Sequence, residues 1–224
     1  MTGKGGGKYD EESPGYWGRR LRARAIVLVM GLVVVMGLAY YARHYRPLPP
    51  LASYGHVPAF KLVDQIGAPF TDASMLAHVS VVDFIFTRCA ASCPRLTARM
   101  ADLQGRLPRE GSNARLVSFS VDPENDTPAV LAAYAAHADA DPAHWSFVTG
   151  PVDSVKATVV TGFKVALEKL PTTNDGTRDY DVTHGDWFVL VDPRGDIRGY
   201  YTTDDPKDVD RLVRDALRLE RGGS

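Results

Sequence analysis

Cysteine is almost missing from this chain: two in 224 residues. Two thiols cannot make a disulfide scaffold, and a chain this long can bury a core without one. Net charge is almost missing as well, with 26 Lys and Arg against 27 Asp and Glu. That balance gives no bulk basic field for nucleic acid, so any chemistry must be argued locally. No internal repeat is visible, and the length suits one good-sized domain with an appendage.

The appendage comes first. Residues 1–24 are glycine-rich, polar and charged, with Gly5-Gly6-Gly7 and Asp10-Glu11-Glu12. They hold little to bury and are read as a disordered tail. Arg19, Arg20, Arg22 and Arg24 crowd against an unbroken apolar run, 25–41, with Tyr40, Tyr41 and Tyr45 at its far end. At 1.5 Å per residue the run spans roughly 26 Å, enough for a bilayer core with snorkelling flanks. The arginines predict a cytoplasmic amino terminus, with all that follows outside. A cleaved signal peptide is the rival reading, since Gly37-Leu38-Ala39 is a passable small-x-small site, but the run is long for a signal core. Arg19-Arg20 is also compatible with twin-arginine export. Residues 42–56, with Pro47, Pro49 and Pro50, read as a proline-rich tether, and 57–220 as the folded domain.

Within that domain strands and helices alternate. Phe60 to Val63 and Phe70 flank a turn at Gly67 and read as a hairpin. Val79 to Phe86 is a near-continuous apolar strand, suited to a sheet covered on both faces. Leu96, Met100, Leu103 and Leu107 recur at helical spacing behind Pro94. Arg115 to Val121 is the next strand, and Thr127-Pro128 caps and opens an alanine-rich helix. Trp145 to Val148 is a strand, Val152 to Gly162 a helix, and Leu170 to Asp186 a long polar loop. A hairpin around Asp192-Pro193-Arg194-Gly195 and an amphipathic helix from Asp205 to Leu219 close the chain. This order predicts an α/β, thioredoxin-like fold: a mixed central sheet with helices on both faces, preceded by one transmembrane helix.

The two cysteines, Cys89 and Cys93, fall where the apolar strand ends and a helix begins. Thiols there can close a disulfide, share a metal ion or lie idle in the core. The helix dipole, with Arg88 and Arg95 nearby, is expected to favour thiolate, and residues four apart project to one side. A metal needs a third ligand. Of the six histidines, His44 and His56 are in the tether, and His137 and His144 surround a helix end and a loop. His78 precedes the central strand on the side away from Cys89, whereas His184 lies just before a strand able to neighbour it. Two thiolates and one imidazole suit copper, Cu(I) or Cu(II), better than structural zinc, which normally takes four protein ligands.

Phe86-Thr87-Arg88-Cys89-x-x-x-Cys93-Pro94, then Ser120 to Pro128 (SVDPENDTP), then His184 before Val191-Asp192-Pro193-Arg194-Gly195, resemble the Sco/SenC/PrrC family over roughly residues 55 to 220. The resemblance implies a membrane-tethered thioredoxin-like domain that binds one copper ion through Cys89, Cys93 and His184. It implies a role in assembling the dinuclear copper centre of cytochrome c oxidase subunit II, as copper donor, thiol reductant or both. The expected anchor lies in a bacterial-type inner membrane with the domain on the periplasmic side, and the charge balance above leaves no nucleic-acid partner expected. Such a metallochaperone exchanges ligands with its target and is not a turnover enzyme. Two departures bear on tuning. Ala90-Ala91-Ser92 lacks the family's acidic residue between the cysteines, and Thr183-His184-Gly185 replaces Asp-His-Ser. A different class remains open: a thiol–disulfide oxidoreductase in which Cys89 attacks and Cys93 resolves. Thioredoxins proper use Cys-x-x-Cys and a cis-proline, absent here; a peroxidase reading is weaker, since no proline precedes Thr87 where that site has one.

Overall fold

The run Val79–Phe86 supplies the strand on which the sheet is centred. β4 (Ser80–Ile85) is buried at all six positions, as a strand covered on both faces must be. In the computed structural model, which describes residues 14–44, 49–89, 93–165, 168–169, 180–181 and 187–222, the chain forms two compact units, Met1–Pro49 and Pro50–Ser224.

The first unit is a helix, α1 (Pro14–His44). It starts earlier than the sequence reading has it, so 14–24 are helical and not part of a disordered tail. Pro14 is preset for a first turn, and Leu, Arg and Ala extend a nucleated helix at little cost. The stretch Leu21–His44, 24 residues, is long and apolar enough to cross a membrane, and none of it is buried within the structure.

The second unit also begins earlier than expected. β1 (Gly55–His56) pairs with Ile197 and Asp196, Tyr54 N–H and Val57 N–H donate to Ile197 and Gly195 carbonyls, and Arg198 Nη2 donates to the Leu51 carbonyl. Backbone groups of 51–56 thus find partners in the sheet, and the tether's second half belongs to the fold.

The remaining strands are β2 (Lys61–Asp64), β3 (Pro69–Thr71), β5 (Arg115–Ser120), β6 (Trp145–Thr149), two short ones, β7 (Glu168–Lys169) and β8 (Tyr180–Asp181), then β9 (Trp187–Val191) and β10 (Asp196–Thr202). Eight form one sheet in the order β1-β10-β9-β4-β5-β6-β2-β3, and β7 pairs with β8. β4, β5 and β6 run parallel; β9 lies antiparallel to β4, with Val82 opposite Val189. Parallel neighbours need crossovers. α2 (Cys93–Arg109) and α3 (Pro128–His137) provide them, and the other described helices are a 3-10 turn (Asp72–Met75), α4 (Val152–Lys156), a π turn (Ala157–Gly162) and α5 (Pro206–Glu220). Thr127 and Asp205 cap α3 and α5, each followed by proline, as the sequence reading expects for Thr127.

Period-two alternation sorts the sheet's faces. Phe84 and Phe119 share one face, against Phe163 at 5.4 and 5.2 Å. Asp83, Ser118 and Phe147 share the other, where Phe147 meets Tyr134 of α3 and the Tyr134 and Thr97 hydroxyls join α3 to α2. Tyr201 Oη donates to Asp215 of α5, which covers the same side. Helices therefore lie on both faces.

Candidate thiol and metal site

At the carboxyl end of β4 the backbone leaves the sheet through a tight turn, in which Cys89 N–H donates to the Phe86 carbonyl at 3.2 Å. α2 starts at Cys93, whose N–H donates to Cys89 Sγ at 3.4 Å. Cys89 thus lies at the amino end of a 17-residue helix, where an unsatisfied backbone donor and the dipole both favour thiolate. No disulfide joins the two thiols; Cys89 is half-buried and Cys93 is buried, 4% exposed.

The two thiols therefore sit in unequal surroundings. Burial pushes the Cys93 thiol well above its ordinary range, partly offset by a backbone hydrogen bond from Phe86. The hydrogen bond and charge of Cys89 and the charge of Asp83 add to the upward push. Arg88 acts differently from expectation. Its guanidinium is engaged by Asp122, with Nη2 at 2.8 Å and Nε at 3.3 Å from Oδ2, so its charge is spent largely on a buried carboxylate.

The loop Asp122–Asp126 therefore reaches under the cysteine turn. Asp122 holds Arg88 and accepts from Asn125 Nδ2. Asp126, fully buried, accepts from Thr87 N–H at 3.1 Å, Thr87 Oγ1–H at 2.5 Å and Ser120 Oγ–H at 2.6 Å. Burial raises the Asp126 carboxyl above the usual range, against the lowering effect of these donors. The Ser120–Pro128 motif and the Cys89–Cys93 motif, read separately from sequence, are one hydrogen-bonded unit.

Asp83 and Tyr134 were not singled out from sequence. Asp83 is 0% exposed on the face beneath α2, and its charge acts on both Cys93 and Tyr134. A lone acid inside Val-Val-Asp-Phe-Ile is the signal that could have found it, because such residues are seldom buried without a reason. Tyr134 carried no comparable signal in its alanine-rich helix.

His184 lies outside the described residues. The other histidines are elsewhere: His56 bonds Asp196 at 3.0 Å, His44 stacks on Tyr40, His137 bonds the Ala133 carbonyl, His144 lies 4.0 Å from Asp141, and His78 is exposed. Among the described residues no group of three or more His, Cys, Asp or Glu could hold a metal ion. The two cysteines fit a soft metal as far as they go, being neighbours that offer sulfur.

A mixed sheet covered on both faces, with a cysteine pair where its central parallel strand meets a helix, defines a thioredoxin-like domain. The SCO1/SenC family model matches residues 51–218, and the chain belongs to that family. It is 36% identical over 160 residues to the SCO1 protein homolog of Bacillus subtilis, covering 71% of this chain and 80% of that one. Among solved structures it is similar to BsSco, described as a member of the Sco family of cytochrome c oxidase assembly proteins with a disulfide switch. The TM-score is 0.63 at 33% identity, over 76% of this chain and 99% of that one. It is similar also to Bradyrhizobium japonicum ScoI with copper bound, with TM-score 0.62 at 25% identity, over 73% of this chain and 99% of that one.

Proposed function

We propose that this protein is a membrane-anchored copper metallochaperone. Its cargo, one copper ion as Cu(I) or Cu(II), is held by Cys89, Cys93 and His184 and serves assembly of the dinuclear copper centre of cytochrome c oxidase subunit II. The observation that carries the reading is the pair of cysteines at the end of β4, joined by the Cys93 N–H to Cys89 Sγ contact. The antiparallel register of β9 on β4 supports His184 as third ligand, because it brings Trp187, the first residue of β9, toward the carboxyl end of β4. The copper-bound ScoI relative and the assembly role of the Sco family support the cargo and the pathway. The arginine-flanked helix α1 supports an inner-membrane anchor with its amino terminus cytoplasmic and the Pro50–Ser224 unit on the periplasmic side.

Copper binds the thiolate form, so loading displaces thiol protons. Cys93, whose burial holds its proton tightly, is the ligand for which that displacement matters most. The test is a titration of the reduced full-length chain in detergent with Cu(I) and with Cu(II). One copper per chain is expected, lost in Cys89→Ser and in His184→Ala; stoichiometric binding that survives His184→Ala sinks the three-ligand site.

The unequal exposure of the two thiols favours a second reading, a thiol–disulfide oxidoreductase. Cys89 thiolate attacks a target disulfide, forming a mixed disulfide and expelling one target thiolate. Cys93, deprotonated, then attacks Cys89 Sγ, releasing the second target thiolate and leaving Cys89–Cys93 oxidised by two electrons. Efficient disulfide reduction by copper-free His184→Ala would favour this reading over the chaperone.

A further inference from the structure

Asp126 is not one of the three proposed copper ligands, yet it is fully buried and is placed by the chain next to the cysteine turn. Its hydrogen-bond partners are three neutral donors: the amide and hydroxyl of Thr87 and the hydroxyl of Ser120. A buried carboxylate is costly to keep, and satisfying it with neutral dipoles offsets that cost without an ion pair. Such a group is retained where its acceptor-only geometry is useful.

The geometry points to that use: we propose that Asp126 is a positioning residue for Cys89, acting through Thr87. The turn leaving β4 is closed by Cys89 N–H on the Phe86 carbonyl, with Thr87 and Arg88 as its two central residues. Asp126 holds the first by both amide and hydroxyl, and Asp122 holds the second by its guanidinium. Asp126 N–H in turn donates to the Asp122 carbonyl at 2.9 Å, and Asp122 N–H donates to Ser120 Oγ at 3.1 Å. The two carboxylates are thus parts of one rigid loop anchored on β5. With both central residues fixed, the turn cannot rotate, and the direction in which Cys89 Sγ leaves it is set. Without the Thr87 bonds the backbone is free to pivot two residues before the thiol.

An acid suits this place better than an amide. Ser120 Oγ already accepts from Asp122 N–H, so its own proton must go to an acceptor, which Asp126 Oδ2 supplies. An asparagine with its amide oxygen in the Oδ2 place keeps Thr87 N–H and Ser120 Oγ–H but turns its NH2 toward Thr87 Oγ1, so that hydroxyl must accept where it now donates. The proposal rests on the reading of Cys89 as a working thiol, whether it holds copper or attacks a disulfide.

The test uses the full-length chain in detergent, with Thr87→Val, Thr87→Ser, Asp126→Asn and the Thr87→Val/Asp126→Asn double variant. Three quantities are read: the rate of iodoacetamide alkylation mapped to Cys89, the thiol–disulfide equilibrium of the pair against a dithiol buffer, and copper affinity by competition with a chelator. Thr87→Val is expected to lower copper affinity about tenfold, the scale seen when groups that orient a metal ligand are removed. It should also change the Cys89 alkylation rate and shift the redox equilibrium. Thr87→Ser, which keeps the hydroxyl, should stay within about twofold of wild type, and the double variant should cost less than the sum of the single ones, since both singles disturb the Thr87 Oγ1 contact with Asp126. Wild-type alkylation and redox equilibrium in folded Thr87→Val overturn the proposal, as does failure of Thr87→Ser to restore them. Should Asp126→Asn fail to fold, the two Thr87 variants decide alone. Absence of copper binding in wild type defeats the chaperone reading, while alkylation and redox equilibrium still judge the role of Asp126.

Discussion

The two faces of the sheet are built from different chemistry. One is aromatic: Phe60, Phe70, Phe84, Phe119 and Phe163 meet with ring centroids between 5.2 and 6.4 Å apart. The other interleaves polar groups with its apolar ones. Asp83, Ser118 and Ser120 lie there beside Ile85, Leu116, Trp145 and Phe147, and Trp145 Nε1–H donates to Ser118 Oγ. Asp83 and Phe84 are neighbours in sequence, yet they serve opposite faces, because a strand reverses direction at every residue. The lesson is a division of labour along one strand. Non-directional packing on the aromatic face stabilises the domain, which lets the other face hold buried polar groups beneath the cysteines.

The largest expected effect tests that division directly. Phe119 is fully buried at the centre of the aromatic cluster, and Phe119→Ala should cost about 3–5 kcal/mol in denaturant unfolding, from lost burial plus the cavity left behind. In the fraction that stays folded, the relative reactivity of the two cysteines should be unchanged. A changed cysteine pattern would mean that the faces are coupled and the division is false.

The thiols themselves provide the next effect. In the reduced, copper-free chain Cys89 should be alkylated first, and Cys93 slower by about tenfold or more, since each unit of thiol pKa is a factor of ten in thiolate. Burial and the raised Cys93 thiol act in the same direction. Mass mapping after brief alkylation measures it; equal labelling would show that the amino end of α2 opens freely.

A smaller effect comes from Tyr134. Burial raises its hydroxyl from 10.0 to about 12, with the Thr97 bond lowering it in part. In the unfolded chain the phenol ionises first, so the folded state holds more protons in that interval. Stability therefore falls as pH climbs from 10 toward 12. Tyr134→Phe should flatten part of that slope in urea midpoints taken across the alkaline range. Tyr201 and Cys93, raised in the same direction, keep the remainder. An identical slope in the variant would place Tyr134 in water rather than in the polar face.

Much of this was legible from residues alone. The near-continuous apolar run Val79–Phe86 announced a doubly covered strand, the spacing of Leu96, Met100, Leu103 and Leu107 gave α2, and Thr127-Pro128 gave the start of α3, because each rests on local pattern. The tail and tether boundaries were misjudged for two reasons. Helix propagation carried α1 back to Pro14, and the pairing of Gly55 and His56 depends on a strand some 140 residues later, which no local pattern reveals. The cysteines were recognisable as a pair, but their inequality was not. It arises from where α2 settles on the sheet, and so does the engagement of Arg88 by Asp122. The Asp122–Asp126 loop was visible as a motif, whereas its grip on Thr87 appears only in three dimensions.

The smallest expected effect concerns the outer side of the helices that cover the polar face. Arg106 of α2 bridges Glu110, four residues on, at 2.5 Å, and Asp210 of α5 at 2.7 Å. Both carboxylates raise its already high pKa, so its charge is not in question. Its side chain is a third exposed and its partners more so, which leaves water to screen the pair. Arg106→Gln should therefore cost under about 1 kcal/mol, and less still at high salt. α2 and α5 are instead held by what they bury, Leu103 and Leu107 on one and Leu212, Val213 and Ala216 on the other. The cysteines, at the opposite end of α2, should alkylate as in wild type. A loss well beyond 1 kcal/mol that vanishes in salt would show that ion pairs, and not burial, hold the helices over the polar face. The two faces would then differ in how they are stabilised as well as in what they contain.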